Sequence, residues 1–268
     1  MYFSRPPLRL AGILIGLALT AASLSFPAAP AVGVGPKAAK PTIVLVHGSF
    51  ADSSGWSKVI ERLQRHGYTA LAVANPLRGL ASDAAYLDSF IDGIEGPVVL
   101  VGHSYGGAVI TETAPDPDVK ALVYVSAFLP EEGETAFGIA GRFPGSQITP
   151  ETIRTVTLPS GGDDVYLRAE TFGKVFGPGV PASVLRLLAA TQRPILYTAL
   201  TEPATAGPAW KRLPSWVVIS KTDQAIPAAA QRFMTVRAGA RAVEVDASHS
   251  AFLTRPGVVA DVIEKAAR

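Results

Sequence analysis

Gly102-His103-Ser104-Tyr105-Gly106 has the form G-x-S-x-G and directly follows the apolar run Pro97-Val98-Val99-Leu100-Val101. A serine hydroxyl alone is a weak nucleophile. On a sharp strand-to-helix turn it is lifted clear of a sheet, where a base can reach it. Such a turn crowds neighbouring backbone, a steric reason for glycine at 102 and 106. Tyr105 follows the serine, so its backbone N–H would face a developing oxyanion at a helix N-terminus. The expected chemistry is covalent catalysis at Ser104, which needs a base, an acid and a second oxyanion donor.

The chain has four histidines, at 47, 66, 103 and 249. His66 falls at a helix end and reads as solvated or capping. His103 lies inside the turn, with its ring expected to point away from Ser104, and His47 reads as structural. His249 lies in the loop Asp246-Ala247-Ser248-His249-Ser250 after a strand-like segment. A base titrating near neutrality suits serine activation, so His249 is the expected base. Asp223 and Asp246 both satisfy the order Ser, Asp, His. Asp223 sits just past its own strand and is favoured, because a carboxylate there could fix the histidine tautomer. Asp246 is too close to His249 in sequence to reach comfortably around the ring.

His47-Gly48-Ser49-Phe50 follows the first strand-like run, and Gly48 would let the backbone turn close to the nucleophile. The Ser49 N–H is the expected partner of the Tyr105 N–H, with Phe50 a weaker claimant or a pocket wall. Phe128, Phe143, Tyr166, Phe172 and Phe176 are the other candidate pocket residues. No H-E-x-x-H, phosphate-loop or dinucleotide motif is present, and there is no cysteine. Neither metal nor organic cofactor is therefore expected.

The elements that must position these groups alternate. Thr42–Val46 reads as a strand buried on both faces, and Thr69–Ala74, Val98–Val101, Ala121–Val125, Trp216–Ile219 and Arg241–Val245 read as further strands. Ser54–Gln64, Ala81–Ile94, Ala108–Thr113 and Val258–Ala267 read as helices. This alternation specifies a doubly wound α/β core with a mostly parallel sheet. Between Glu131 and Pro194 the rhythm breaks, and a structureless loop of that length is unusual in a compact domain. A small, mainly helical cap over residues 131–194 is expected, between core segments 41–130 and 195–268.

Arg5 and Arg9 precede the apolar stretch Leu10–Phe26, and Ala29-Pro30-Ala31 resembles a cleavage site. This is the layout of a signal peptide over residues 1–31, with a flexible tether over 32–40 and an exported product. An uncleaved anchor is the alternative. Those two arginines account for the whole excess of 24 basic over 22 acidic side chains. The remainder carries no net positive field, so neither nucleic acid nor, after cleavage, a membrane is an expected partner.

Taken together, the motifs resemble the α/β-hydrolase superfamily across residues 41–268. They are similar to the branch holding plant methylesterases and hydroxynitrile lyases. The matching pieces are Val44-Leu45-Val46-His47-Gly48, Trp56, Gly102 to Gly107, Leu122 to Pro130, Lys221-Thr222-Asp223-Gln224-Ala225-Ile226-Pro227 and Ala247-Ser248-His249. The resemblance implies a Ser104–Asp223–His249 triad, no metal or cofactor, and a helical cap over the site. It implies carboxylic ester hydrolysis through an acyl-enzyme, and the candidate aromatic pocket walls favour a small or medium apolar acyl or alkoxy group. An amidase or lactonase would use the same residues. Hydroxynitrile lyases of this branch resemble a hydrolase with lysine directly after the catalytic histidine; Ser250 stands there in this chain. A non-catalytic binder on the same fold is a further alternative.

Overall fold

A computed structural model describes residues 40–268. The expected leader over 1–31, and the tether up to residue 39, lie outside the described residues. In chain order the first elements are β1 (Thr42–Val46), α1 (Ser57–Arg65), β2 (Ala70–Val73), α2 (Leu80–Ile91), β3 (Val98–His103), α3 (Tyr105–Glu112) and β4 (Val119–Val125). Then follow α4 (Ala136–Arg142), β5 (Ile153–Thr157), β6 (Asp163–Leu167), α5 (Ala169–Phe176), α6 (Ala182–Thr191), β7 (Ile195–Leu196) and α7 (Tyr197–Thr201). The last are β8 (Ser215–Ser220), α8 (Ala228–Arg237), β9 (Arg241–Val245), α9 (Ala251–Thr254) and α10 (Pro256–Ala266).

Six strands form a parallel sheet in the order β2-β1-β3-β4-β8-β9. Alternate residues of each run point to opposite faces, and both faces of the four central strands are covered, while the edge strands β2 and β9 are partly exposed. Val44, Val46, Leu100, Leu122, Tyr124 and Val217 pack with α2, α3 and α8 on one side. Ile43, Leu45, Val99, Val101, Val123 and Val218 pack with α1 and α10 on the other. Full burial of each such valine or leucine contributes about 1.5–3 kcal/mol, so continuous apolar runs of this kind can be satisfied only inside two helical layers.

The register sets the site. Val46 pairs with Gly102 and His103 with Val125. The carboxyl ends of β1, β3 and β4 therefore finish level, and Ser220 pairs with Val245 at the ends of β8 and β9. Strand order reverses between β1 and β3, where ligands bind in open α/β sheets.

Segment 131–194 contains the helices α4, α5 and α6. It also contributes to a three-stranded antiparallel sheet, β5-β6-β7, which the sequence reading does not anticipate. Four of the five residues of β5 are exposed, so no buried alternation marks it. Gly161 and Gly162, with φ of 87° and 85°, turn the chain into β6. Helix α8 was also unanticipated. Its buried residues include Gln231 and Thr235, while Val236 points outward and is 81% exposed. The apolar periodicity of that helix is thereby erased. Among the described residues no helix is long and apolar enough to cross a membrane.

Candidate active site

Ser104 is the single residue between β3 and α3, with φ 55° and ψ −124°. A non-glycine residue in this region stores about 1–3 kcal/mol of strain, which the surroundings must hold in place. Its N–H donates to Val125 O (3.4 Å), and its carbonyl accepts from Gly107 N (3.0 Å) and Phe128 N (3.1 Å). A β-carbon on Gly102 would lie 2.5 Å from Gly106 O, and one on Gly106 would lie 2.4 Å from Val46 O. Backbone thus occupies the space that a side chain at either position would need.

His249 follows β9, and its loop is tied to the segment above. The hydroxyls of Ser248 and Ser250 donate to the carbonyl of Phe176, at 3.2 and 2.8 Å. The Phe176 ring stands edge-on to the imidazole, 5.2 Å between centroids. From the strand side, His103 Nε2 donates to the carbonyl of His249 at 3.0 Å. His249 Nδ1 donates to Asp223 Oδ2 at 2.9 Å, with both side chains buried. A carboxylate partner fixes the proton on Nδ1 and leaves Nε2 as the basic nitrogen. Asp223 Oδ1 accepts from the N–H groups of Ala225 (2.7 Å) and Ile226 (2.9 Å) in the loop after β8. Asp246 is exposed and pairs with Lys221 at 2.6 Å, facing solvent. Of the two aspartates, only Asp223 reaches the ring.

The loop after β1 passes over the serine. Phe50 takes a left-handed φ of 61°, and its N–H donates to Arg193 O at 3.2 Å. That bond occupies the Phe50 N–H, and the Phe50 ring lines the cavity. The Ser49 N–H has no protein acceptor among the described residues. Tyr105 is the first residue of α3, where an N–H has no intrahelical acceptor. Its phenol points away and donates to Asp83 Oδ2 at 2.9 Å. Burial, and then the Asp83 charge, push that phenol far above the usual tyrosine range. Burial likewise raises the Asp83 carboxyl.

The remaining histidines serve the scaffold. His47 donates from Nδ1 to Gly48 O (2.9 Å), and burial holds it below the usual histidine value. Burial, with the neighbouring His249, holds His103 well below that value. His66 ends α1 and pairs with Glu264 of α10.

Ser104 and His249 open onto one cavity of about 110 Å³, walled by Phe50, Phe128, Phe137, Phe176, Leu200 and Ile226 among others. No hydrogen bond joins Ser104 Oγ to the ring among the described residues; such contacts often tighten only around bound substrate. The expected walls Phe50, Phe128 and Phe176 line the cavity, while Phe143, Tyr166 and Phe172 do not. Phe143 packs on Phe233, Tyr166 lies beside Arg154, and Phe172 stacks behind Phe176 at 4.7 Å. In their place α4 contributes Ala136, Phe137, Ala140 and Gly141. Thr135, which caps that helix by accepting from Gly138 N, was the one local signal of its start.

Comparison with known proteins agrees with this geometry. The chain is 26% identical over 255 residues to the alpha/beta hydrolase nvfD of Aspergillus novofumigatus, covering 85% of this chain and 97% of that one. It is 32% identical over 110 residues to the carbendazim hydrolyzing esterase of a Nocardioides species, covering 36% of this chain and 46% of the relative. Among solved structures, polyneuridine aldehyde esterase superposes with a TM-score of 0.72 at 20% identity, over 85% of this chain and 99% of that one. Residues 43–262 match the model of the alpha/beta hydrolase family. With its parallel sheet and its serine turn, this chain belongs to the alpha/beta hydrolase family.

Proposed function

We propose that this protein is a serine hydrolase that cleaves small or medium, uncharged carboxylic esters through an acyl-enzyme. The observation that carries the reading is the buried His249–Asp223 pair, whose histidine shares a cavity with a serine held at a strained strand-to-helix junction. Ser104 Oγ attacks the ester carbonyl while His249 Nε2 takes its proton. Asp223 keeps the ring oriented and stabilises its charged form. The Ser49 and Tyr105 N–H groups receive the oxyanion, and the leaving alcohol takes the proton back from His249. Water then attacks the acyl group by the same route.

The apolar walls support an apolar acyl or alkoxy group, since among the described lining residues none carries a fixed charge. The motif set supports a place near the methylesterases. Nothing supports the hydroxynitrile-lyase role: the residue after His249 is Ser250, fully buried and bonded to Phe176 O, with no cation there. The basic-then-apolar leader supports export.

The test is turnover of p-nitrophenyl acetate, butyrate and octanoate, beside matched lactones and anilides, by wild type and Ser104→Ala. Ester turnover lost in the variant is the expected result. Equal turnover by both proteins would remove Ser104 as the nucleophile, and faster anilide than ester cleavage would replace esterase by amidase.

A further inference from the structure

We propose that Gln231 is a positioning residue for the acid of the triad; the inference rests on the hydrolase reading above. Gln231 lies in the first turn of α8, which Pro227 starts as its N-cap, and its side chain is fully buried. A buried amide is costly unless every polar group on it is paired. Gln231 meets that condition in a particular way. Its Nε2 donates one N–H to Asp223 Oδ2 (2.8 Å) and the other to Ile226 O (2.8 Å). Its Oε1 accepts from Ser220 N at 3.2 Å. One side chain therefore staples the end of β8, the acid loop and α8 together.

The decisive contact is with Oδ2. That oxygen also accepts from His249 Nδ1, so the amide and the imidazole share it. Oδ1 accepts the two backbone N–H groups of Ala225 and Ile226. Four donors thus surround the carboxylate, two on each oxygen, and fix its plane. The backbone pair alone would leave the group free to tilt about Oδ1. Gln231 stops that tilt on the side facing His249. A residue with a purely structural role in α8 needs only its bonds to Ser220 and Ile226.

The experiment compares Gln231→Met and Gln231→Glu with wild type, in the full chain, on p-nitrophenyl butyrate. Rates are expressed per site titrated by diethyl p-nitrophenyl phosphate, so misfolded molecules do not count. Gln231→Met removes both donors at nearly constant volume. Gln231→Glu keeps the acceptor for Ser220 but sets a carboxylate against a carboxylate. Both are expected to lower kcat by about tenfold or more, a fraction of what a positioned general base contributes, with KM little changed. In Gln231→Glu the loss should deepen as pH rises and the second carboxyl ionises. Unchanged kcat and pH profile in both variants overturns the proposal, as does loss of the native far-UV circular dichroism and cooperative melting in both, which would make Gln231 a folding residue. Asp223→Asn run in parallel separates the two readings: if that variant stays fully active, the triad assignment has failed and not the role of Gln231.

Discussion

Gly48 rests directly on Ser104: a β-carbon added there would stand 2.5 Å from Cβ of Ser104 and 2.7 Å from His103 O. The end of β1 thus approaches the serine turn as closely as backbone permits, and brings the Ser49 N–H with it. Gly48→Ala must displace one of two rigid turns. Overpacking of this kind costs about 1–3 kcal/mol of stability. A shift of about 1 Å in the donor is enough for a roughly hundredfold loss of kcat. Urea unfolding and p-nitrophenyl butyrate kinetics check both numbers, and a variant as active as wild type would place the oxyanion donor elsewhere.

The two aspartates give opposite expectations. Asp223→Asn keeps the shape but offers His249 an amide, which favours the wrong tautomer; replacements of this type lower kcat by about 10⁴-fold. Asp246→Asn breaks only an exposed pair with Lys221, worth about 0–1 kcal/mol, and should leave kcat within error of wild type. Loss of activity in Asp246→Asn alone would reverse the assignment.

Acid should destabilise the fold through His47 and His103. Burial lowers both folded-state values beneath the ordinary 6.5 of the unfolded chain. The unfolded chain then binds more protons in that window, so the stabilising contribution is complete above about pH 6.5 and is lost as pH falls towards the folded values. The slope is about 1.4 kcal/mol per pH unit for each histidine while its window is open. Urea unfolding from pH 8 to pH 5 measures it. His103→Gln, which retains a donor for His249 O, should flatten the curve by about one proton's worth. A wild-type stability that holds level to pH 5 would contradict this account.

Arg78 ties the return segment of the cap region to the core. Its Nη1 donates to Asp164 on β6 (2.7 Å) and its Nη2 to Pro194 O (3.0 Å). The neighbouring carbonyl, Arg193 O, holds Phe50 N–H and with it the left-handed turn beside Ser49. Arg78→Met should cost about 1.5–3 kcal/mol, the range for hydrogen bonds to charged groups. It should also lower kcat more than it alters KM. Arg78→Lys should recover only part of the loss, because one ammonium lacks the planar fork that serves both acceptors. Wild-type melting and kinetics in Arg78→Met would show that the loop at Ser49 is held without it.

The central strands β1, β3, β4 and β8 were legible because each holds a continuous apolar run, and a run of that kind has one stable place, a parallel sheet covered on both faces. The serine turn was legible because local sterics alone demand Gly102 and Gly106 around it. The hairpin β5–β6 and helix α8 were not legible. One turns its side chains to solvent, and the other buries a glutamine and a threonine, so neither carries an apolar period. The pocket walls were half legible. Being aromatic and in segment 131–194 is a matter of composition, whereas facing Ser104 depends on which helix face packs inward.

The amino-acid sequence by itself determined the sheet and the turn at Ser104, because these rest on local sterics and on apolar runs. Only the tertiary structure decided that Asp223 meets His249 while Asp246 faces solvent, that α4 walls the cavity in place of Phe143 and Tyr166, and that Gln231 donates to the same carboxylate oxygen as His249. Those contacts join residues from different elements, and hydrogen-bond geometry across such distances is set by packing, which no local pattern encodes.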